Sequence, residues 1–323
     1  MSPGYGNHQK PPNGAATLPT MDEPTLLIRS ELLSSGTTVD EIRQALRTGT
    51  LRRVARGIYI DGTTDPDPVA LHRVRVLGLR GKLRDGAAVS HVSAAVMHGL
   101  ALWDVDLSRV HISRNRASGG RRLDTLHVHT TSLPPDEVGR VSGVPVTSVA
   151  RTVVDLARTL PTDHAVVAGD SALRMYPDAL PLLTDAVSTA RTRTGVAAAR
   201  RTVEFLDGRS ESPGESLSRL RIAAAGLPAP ELQYELRTDS GAFVARTDLY
   251  WKDVGVVGEF DGRSKYGADE PGATAETVHK EKLREDALRA LGLEVVCWTW
   301  QELFHFDTVR ARLSAAAGRA RRR

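Results

Sequence analysis

The chain has 323 residues, 41% of them hydrophobic and 25% charged, with a net charge of +4. It is too long for one ordinary domain and apolar enough for real cores, so two or three soluble globular domains are expected. No apolar run could span a membrane, no secretory signal pattern opens the chain, and the lone Cys297 allows no internal disulfide, so the chain reads as cytoplasmic. The isoelectric point near 9.4 is no proof of nucleic-acid binding, but the basic residues cluster at Arg43–Arg56, Arg109–Arg122 and Arg319–Arg323.

Residues 1–20 are rich in Pro, Gly, Asn and Ser without periodicity and read as a disordered tail. Residues 21–64 form the first domain. Leu26, Leu27, Ile28, Leu32 and Leu33 fit a helix that stops at Gly36. Thr38 with Glu41 three positions on is a capping box for a second helix, which Gly49 ends. Leu51 to Ile60 then reads as a basic hairpin turned at Ala55, Arg56 and Gly57. Helix, turn, helix and basic β-wing is the order of a winged helix-turn-helix. In that geometry Arg43, Gln44 and Arg47 occupy the exposed face of the second helix, where Arg and Gln can read base edges of double-stranded DNA. Arg52, Arg53 and Arg56 on the wing can contact phosphate.

Residues 65–206 read as a central mixed α/β domain. Helices are expected from Pro68 to about Leu83 and from Ser90 to Leu100, then strands around His111, His127 and Val146. Helices over 148–159, 165–175 and 177–191 follow. His127 and His129 alternate on one strand face, and His91 and His98 share a helix. With no cysteine or acid at ligand spacing they read as structural histidines. Arg151 and Asp155, one helical turn apart, read as a surface or interdomain ion pair.

A polar stretch from Asp207 to Gly214 reads as a linker into a last domain, 207–323. Its first helix begins at Glu215, with Leu217, Leu220 and Ala224 as the inner stripe, and a glutamate there also suits the helix dipole. Phe243–Trp251 and Val254–Phe260 form a hairpin turned at Lys252–Asp253. Asp248 lies in its first strand, and Glu259 and Asp261 project from one side of the second. Acids in strands this apolar are costly unless paired, and a hard divalent cation is one such partner. A charged helix over 277–291 and a buried strand over 293–300 close the pattern, with Trp298 and Trp300 packing.

The ordered features Glu215, Asp248, Glu259-Phe260-Asp261-Gly262, Lys265-Tyr266, the Lys280–Leu288 helix and Leu291-Gly292 before an aromatic strand resemble the PD-(D/E)XK superfamily. The branch is similar to the very-short-patch repair endonucleases. The resemblance covers the last third of the chain and implies a restriction-endonuclease-like α/β/α domain. It also implies Mg²⁺ (or Mn²⁺) held by Asp248 and Glu259, with Glu215 or Asp261 adding a ligand. The superfamily's usual lysine, two positions after the second acid, is Asp261 here, so Lys265, Lys280 or Lys282 would supply the catalytic base or cation. Arg246 and Arg263 are the alternative partners if the acids are only scaffold.

Gly49, Leu51, Arg53, Gly57 and Tyr59, the Ser90–Leu100 string and Arg151-Thr152 with Asp155-Leu156 resemble AbiEi-type antitoxins, the repressor halves of toxin–antitoxin pairs. The fold class is thus α+β multidomain: winged helix-turn-helix, central α/β region, nuclease-like domain. Two functions follow: a DNA-binding Mg²⁺-dependent endodeoxyribonuclease, or a non-catalytic AbiEi-like repressor with a degenerate nuclease fold. A cognate toxin or defence-locus protein would be the partner beside double-stranded DNA.

Overall fold

The computed structural model describes residues 24–238, 240–262, 283–284 and 286–322, and the chain divides into two units, Met1–Gly78 and Leu79–Arg323. In the first unit, β1 (Leu27–Ile28) leads into α1 (Arg29–Ser34) and α2 (Val39–Thr48). A hairpin of β2 (Leu51–Ala55) and β3 (Ile58–Asp61) and helix α3 (Pro68–Leu77) follow. The run expected as one helix over 26–33 is split. Leu27 and Ile28 pair antiparallel with Tyr59 and Ile58, because three consecutive apolar residues carry no helical period and the free edge of β3 satisfies their backbone. The α2 cap is as expected: Glu41 N–H donates to Thr38 Oγ1 at 3.2 Å and Thr38 N–H to Glu41 Oε2 at 2.7 Å. Leu71 and Val74 of α3 pack against Ile58 and Ile60, so α3 belongs with the first unit, beyond the expected limit at 64. It also stops at Leu77, short of Leu83.

The second unit opens with a six-stranded sheet in the order β6-β7-β5-β4-β9-β8. Its strands are β4 (Ala87–Val89), β5 (Val110–Asn115), β6 (Arg121–Arg122), β7 (Leu126–Thr131), β8 (Val138–Val141) and β9 (Val144–Thr147), with α4 (His91–His98) between β4 and β5. Helices α5 (Val149–Thr159), α6 (Thr162–Met175), α7 (Ala179–Thr189) and α8 (Val196–Phe205) follow. They bury Val153, Leu156, Ala168, Leu183 and Val203 in one core with Val92 of α4. The Arg151–Asp155 pair is not on the surface: the two side chains are 2% and 1% exposed, with Nε to Oδ2 at 2.7 Å. Arg151 also reaches Glu137 and the Ser132 carbonyl, and Arg158 takes the other Asp155 oxygen at 2.8 Å. One guanidinium serves several acceptors at once, which is what makes burial of these charges tolerable.

The stretch after Asp207 does not behave as a solvated linker. Asp207 N–H donates to the buried Asp170 carboxylate at 2.8 Å, and Arg219 pairs with the same group at 2.7 Å. Beyond it come α9 (Pro213–Ala224), β10 (Glu231–Arg237), β11 (Phe243–Trp251) and β12 (Val256–Asp261). A helical segment over residues 286–290 (α10), β13 (Glu294–Thr299), α11 (Trp300–Phe304) and α12 (Asp307–Ala320) complete the chain. The sheet order is β10-β11-β12-β13, antiparallel except for the parallel β12–β13 pair. Leu217 and Ile222 of α9 and Val309 and Leu313 of α12 pack with Leu249, Val256 and Trp298. Leu288 of α10 packs with Tyr250 and Val257, the neighbours that alternate to the other face. Ile222 takes the place on the inner stripe of α9 expected of Ala224, which is exposed. Trp298 and Trp300 are buried, as expected, and Trp298 donates to Ser218 Oγ at 2.8 Å. Val167 of α6 joins this core as well, so 79–206 and 207–322 share packing. Among the described residues no helix is long and apolar enough to cross a membrane.

Candidate functional site

Asp248 sits where β11 and β12 stop pairing. Register pairs run from Trp251↔Val256 to Leu249↔Gly258 and end there. One step further the Asp248 Oδ2 accepts the Phe260 N–H at 3.1 Å, a donor the ladder no longer satisfies. Thr247 and Leu249 on either side are fully buried, which fixes the half-buried carboxylate at the sheet's end. Its carboxyl is pushed above the usual range by burial, opposed by the Phe260 N–H and the positive charge of Arg284.

Glu215 reaches the same place from α9. Ser212 caps that helix through the Glu215 N–H at 3.2 Å and returns its own hydroxyl to Glu215 Oε1 at 2.8 Å. The other oxygen, Oε2, accepts the Glu211 N–H and the Gln233 amide, both at 2.9 Å. The neighbouring Gly214 makes the approach possible. A Cβ there would stand 1.9 Å from the ring of Phe260 on β12, so only glycine lets the first turn of α9 sit against the strand that follows Asp248. Burial raises the Glu215 carboxyl, reinforced by the negative charge of Asp248 against its own hydrogen bonds. The capping role and the site role are therefore carried by the same side chain.

Gln233 joins the site without having been expected there. It lies on β10 between the register pairs Leu232↔Leu249 and Tyr234↔Thr247, itself unpaired and with φ +51°. A non-glycine residue in the left-handed region costs about 1–3 kcal/mol. Its side-chain amide donates to Glu215 and also lowers the Asp248 carboxyl, so it lies beside both acids. Its signal in the sequence is a lone amide in the run from Leu232 to Leu236, but its partners lie on two other elements.

Glu259 is held differently. Arg284 grips it with two bonds, Nη1 to Oε2 at 3.0 Å and Nη2 to Oε1 at 2.6 Å, and also donates to the Arg246 carbonyl at 2.6 Å. Arg246, expected as a partner of the acids, instead pairs with Glu211 at 2.8 Å. Arg284, itself helical, takes that role. Asp261 ends β12, exposed and level with Thr299 of β13. Lys265, Lys280, Lys282 and Arg263 lie outside the described residues. Among the described residues the three acids do not gather into one three-ligand set: Gln233 lies beside Glu215 and Asp248, and Glu259 turns to Arg284.

In the first unit, Arg43, Gln44 and Arg47 of α2 and Arg52, Arg53 and Arg56 of the hairpin are at least partly exposed. Arg43 pairs with Asp40 at 2.7 Å across one turn, and Arg52 with Asp65 at 3.3 Å.

No family model matches the chain. The chain is 31% identical over 251 residues to "Uncharacterized protein Rv2248" and "Uncharacterized protein MT2308" from two strains of Mycobacterium tuberculosis, covering 78% of this chain and 86% of each of those proteins. Among solved structures it is similar to the Rv2827c protein of Mycobacterium tuberculosis, at 15% identity and a TM-score of 0.37 over 67% of this chain and 85% of that one.

Proposed function

The chain belongs to the family of these two mycobacterial proteins, and we propose that its second unit is a Mg²⁺- or Mn²⁺-dependent endodeoxyribonuclease. In this reading the first unit is a winged helix-turn-helix that binds double-stranded DNA, and the protein works in the cytoplasm. The observation that carries the proposal is the pair Glu215 and Asp248: two carboxylates drawn out of water, pushed toward protonation, and given no ion pair among the described residues. Such a pair is expensive unless a cation completes it.

The donor set fits the metal. Hard carboxylate oxygens suit Mg²⁺, which is usually held by one or two carboxylates together with substrate phosphate oxygens, so a preformed cage is not required. Asp248 and Glu215 would hold it, with Glu259 joining on release from Arg284 and Asp261 at the exposed strand end adding a further ligand. When bound, the cation supplies charge neutralisation at the scissile phosphate and an acidified water.

The chain's own groups have separate tasks. Gln233 holds Glu215 by its amide and lowers the Asp248 carboxyl beside it. Arg284, freed from Glu259, presents a planar pair of donors that match phosphate oxygens. Lys265, Lys280 or Lys282 would orient the attacking water in place of the lysine that Asp261 displaces. Arg43, Gln44 and Arg47 would read base edges, and Arg52, Arg53 and Arg56 would contact phosphate.

One observation favours a second reading, an AbiEi-like repressor whose acids are scaffold and whose partner is a toxin or another defence-locus protein. It is the two-bond grip of Arg284 on Glu259, which satisfies that acid without metal. A plasmid-nicking assay with Mg²⁺ or Mn²⁺ separates the two. Cleavage by the wild type that disappears in Asp248→Asn and Glu259→Gln establishes the nuclease. Absence of cleavage together with retained duplex binding establishes the repressor.

A further inference from the structure

Far from these acids in the sequence, four histidines from three elements meet on one face of the six-stranded sheet. β5 and β7 run parallel with His111 level with His127 and Ser113 level with His129. Alternate residues of a strand share a face, so His111, Ser113, His127 and His129 line the same side. His91, the first residue of α4, lies against them: its ring stacks on His129 with centroids 3.8 Å apart and planes 15° from parallel. His129 Nε2 and His111 Nδ1 face each other at 3.1 Å. One ring nitrogen from each of His91, His111 and His129 lies within 4.8 Å of the others.

Several features distinguish this group from histidines that merely fill a core. A ring pair that meets nitrogen to nitrogen can share only one proton, and it turns two lone-pair positions toward one point. His91 is 5% exposed yet held at φ +52°, a backbone conformation that costs a residue with a Cβ about 1–3 kcal/mol. Its Nδ1 meets Ser90 Oγ at 3.0 Å, and Ser90 in turn accepts the Ser113 hydroxyl at 2.9 Å. That buried serine relay holds one nitrogen of the ring, as outer-shell partners do for metal-bound histidines. The fourth ring, His127, stands 3.9 Å from His129, and its buried Nδ1 has no hydrogen-bond partner.

The arginines around the group are largely paired with acids, Arg109 with Asp106 among them. Arg151 and Arg158, which act on His91, are paired with Glu137 and Asp155. Arg122 acts on both His127 and His129, and Arg109 on His127. Burial above all, with these cations, lowers His91, His127 and His129, His129 to about 4 and His91 well below its usual value.

We propose that His91, His111 and His129 form a binding site for a borderline transition-metal cation of the Zn²⁺ class, with a fourth coordination position left open. Three imidazole nitrogens are the donor set of a three-histidine zinc site and a poor one for Mg²⁺. The site is therefore chemically separate from the acids around Asp248. For both His111 Nδ1 and His129 Nε2 to ligate, the proton between them moves to the second nitrogen of its own ring, so no group has to ionise.

The test uses the full chain, stripped with a chelator and titrated with Co²⁺ as the spectroscopic probe. One cation per chain should bind with the visible absorption of four-coordinate cobalt, be displaced by Zn²⁺, and be lost in His91→Ala and His129→Ala. It should be kept in Asp248→Asn, which separates this site from the acidic one. No absorption in the wild type, or absorption that survives both histidine substitutions, overturns the proposal. Should those variants fail to fold, ring ¹⁵N spectra of the wild type decide the matter. Added Zn²⁺ should move the signals of three of the ten histidines, and rings that do not move overturn the site.

Discussion

At Asp248 and Glu215, folding removes carboxylates from water without supplying an ion-pair partner among the described residues, and burial raises both. The sign of the pH effect follows. A carboxyl whose folded value lies above its unfolded one binds its proton more tightly in the folded state. The pair's contribution to stability is therefore fully present below the ordinary unfolded carboxyl values and is lost as pH rises through the raised folded values, above which it stays lost. Asp248→Asn should accordingly raise the melting temperature of metal-free protein at neutral pH, with the gain shrinking toward acid, while abolishing cleavage. Mg²⁺ should stabilise the wild type and leave the variant unmoved; a variant that melts lower than wild type at neutral pH would show the charge to be structurally required. Arg151 is the opposite case. Its guanidinium neutralises Asp155 and Glu137 inside the core, so Arg151→Ala should cost about 3–5 kcal/mol. Urea denaturation measures it, and a loss under about 1 kcal/mol, the range of surface pairs, would return the pair to a surface role.

Among the elements, the seating of α9 on β12 decides whether Glu215 reaches Asp248. Gly214 has a Phe260 ring carbon 1.9 Å from where its Cβ would be, and Gly258 has Trp298 at 2.6 Å. Gly214→Ala should destabilise by about 1–3 kcal/mol, the usual cost of overpacking. It should also depress nicking beyond what that loss explains, because the helix start must move away from the sheet. Equal nicking per folded molecule would show that Glu215 is not needed where it stands. The same elements show what is legible without coordinates. Phe243–Trp251 has in the structure the bounds that its alternation and its turn at Lys252 predict. β10 carries no comparable signal, since Glu231 to Arg237 becomes a strand by pairing with β11.

For the molecule as a whole, the two units divide the proposed work. Basic residues exposed on α2 and its hairpin belong to Met1–Gly78, and the acids belong to Leu79–Arg323. Substituting Arg43 or Arg53 by Ala should weaken duplex binding and flatten its salt dependence, by roughly 0.9 in log–log slope for each phosphate no longer neutralised. Nicking at saturating DNA should persist. Binding and salt slope equal to wild type would take the first unit out of the DNA-binding role.

The sequence by itself determined the local features, the Thr38–Glu41 cap and the strands around Asp248 and Glu259, whereas Glu215 is singled out as a site acid only by the family resemblance. The cap and the strands follow from neighbours a few residues away, where periodicity and capping act. Tertiary structure decided who meets whom. It made Leu27–Ile28 a strand, buried Arg151 with Asp155, set Gln233 between two acids, gave Glu259 to Arg284, and stacked His91 on His129. Each of these depends on a partner from another element or a distant turn, and the energy that selects it is burial and charge pairing across the fold, which no spacing along the chain records.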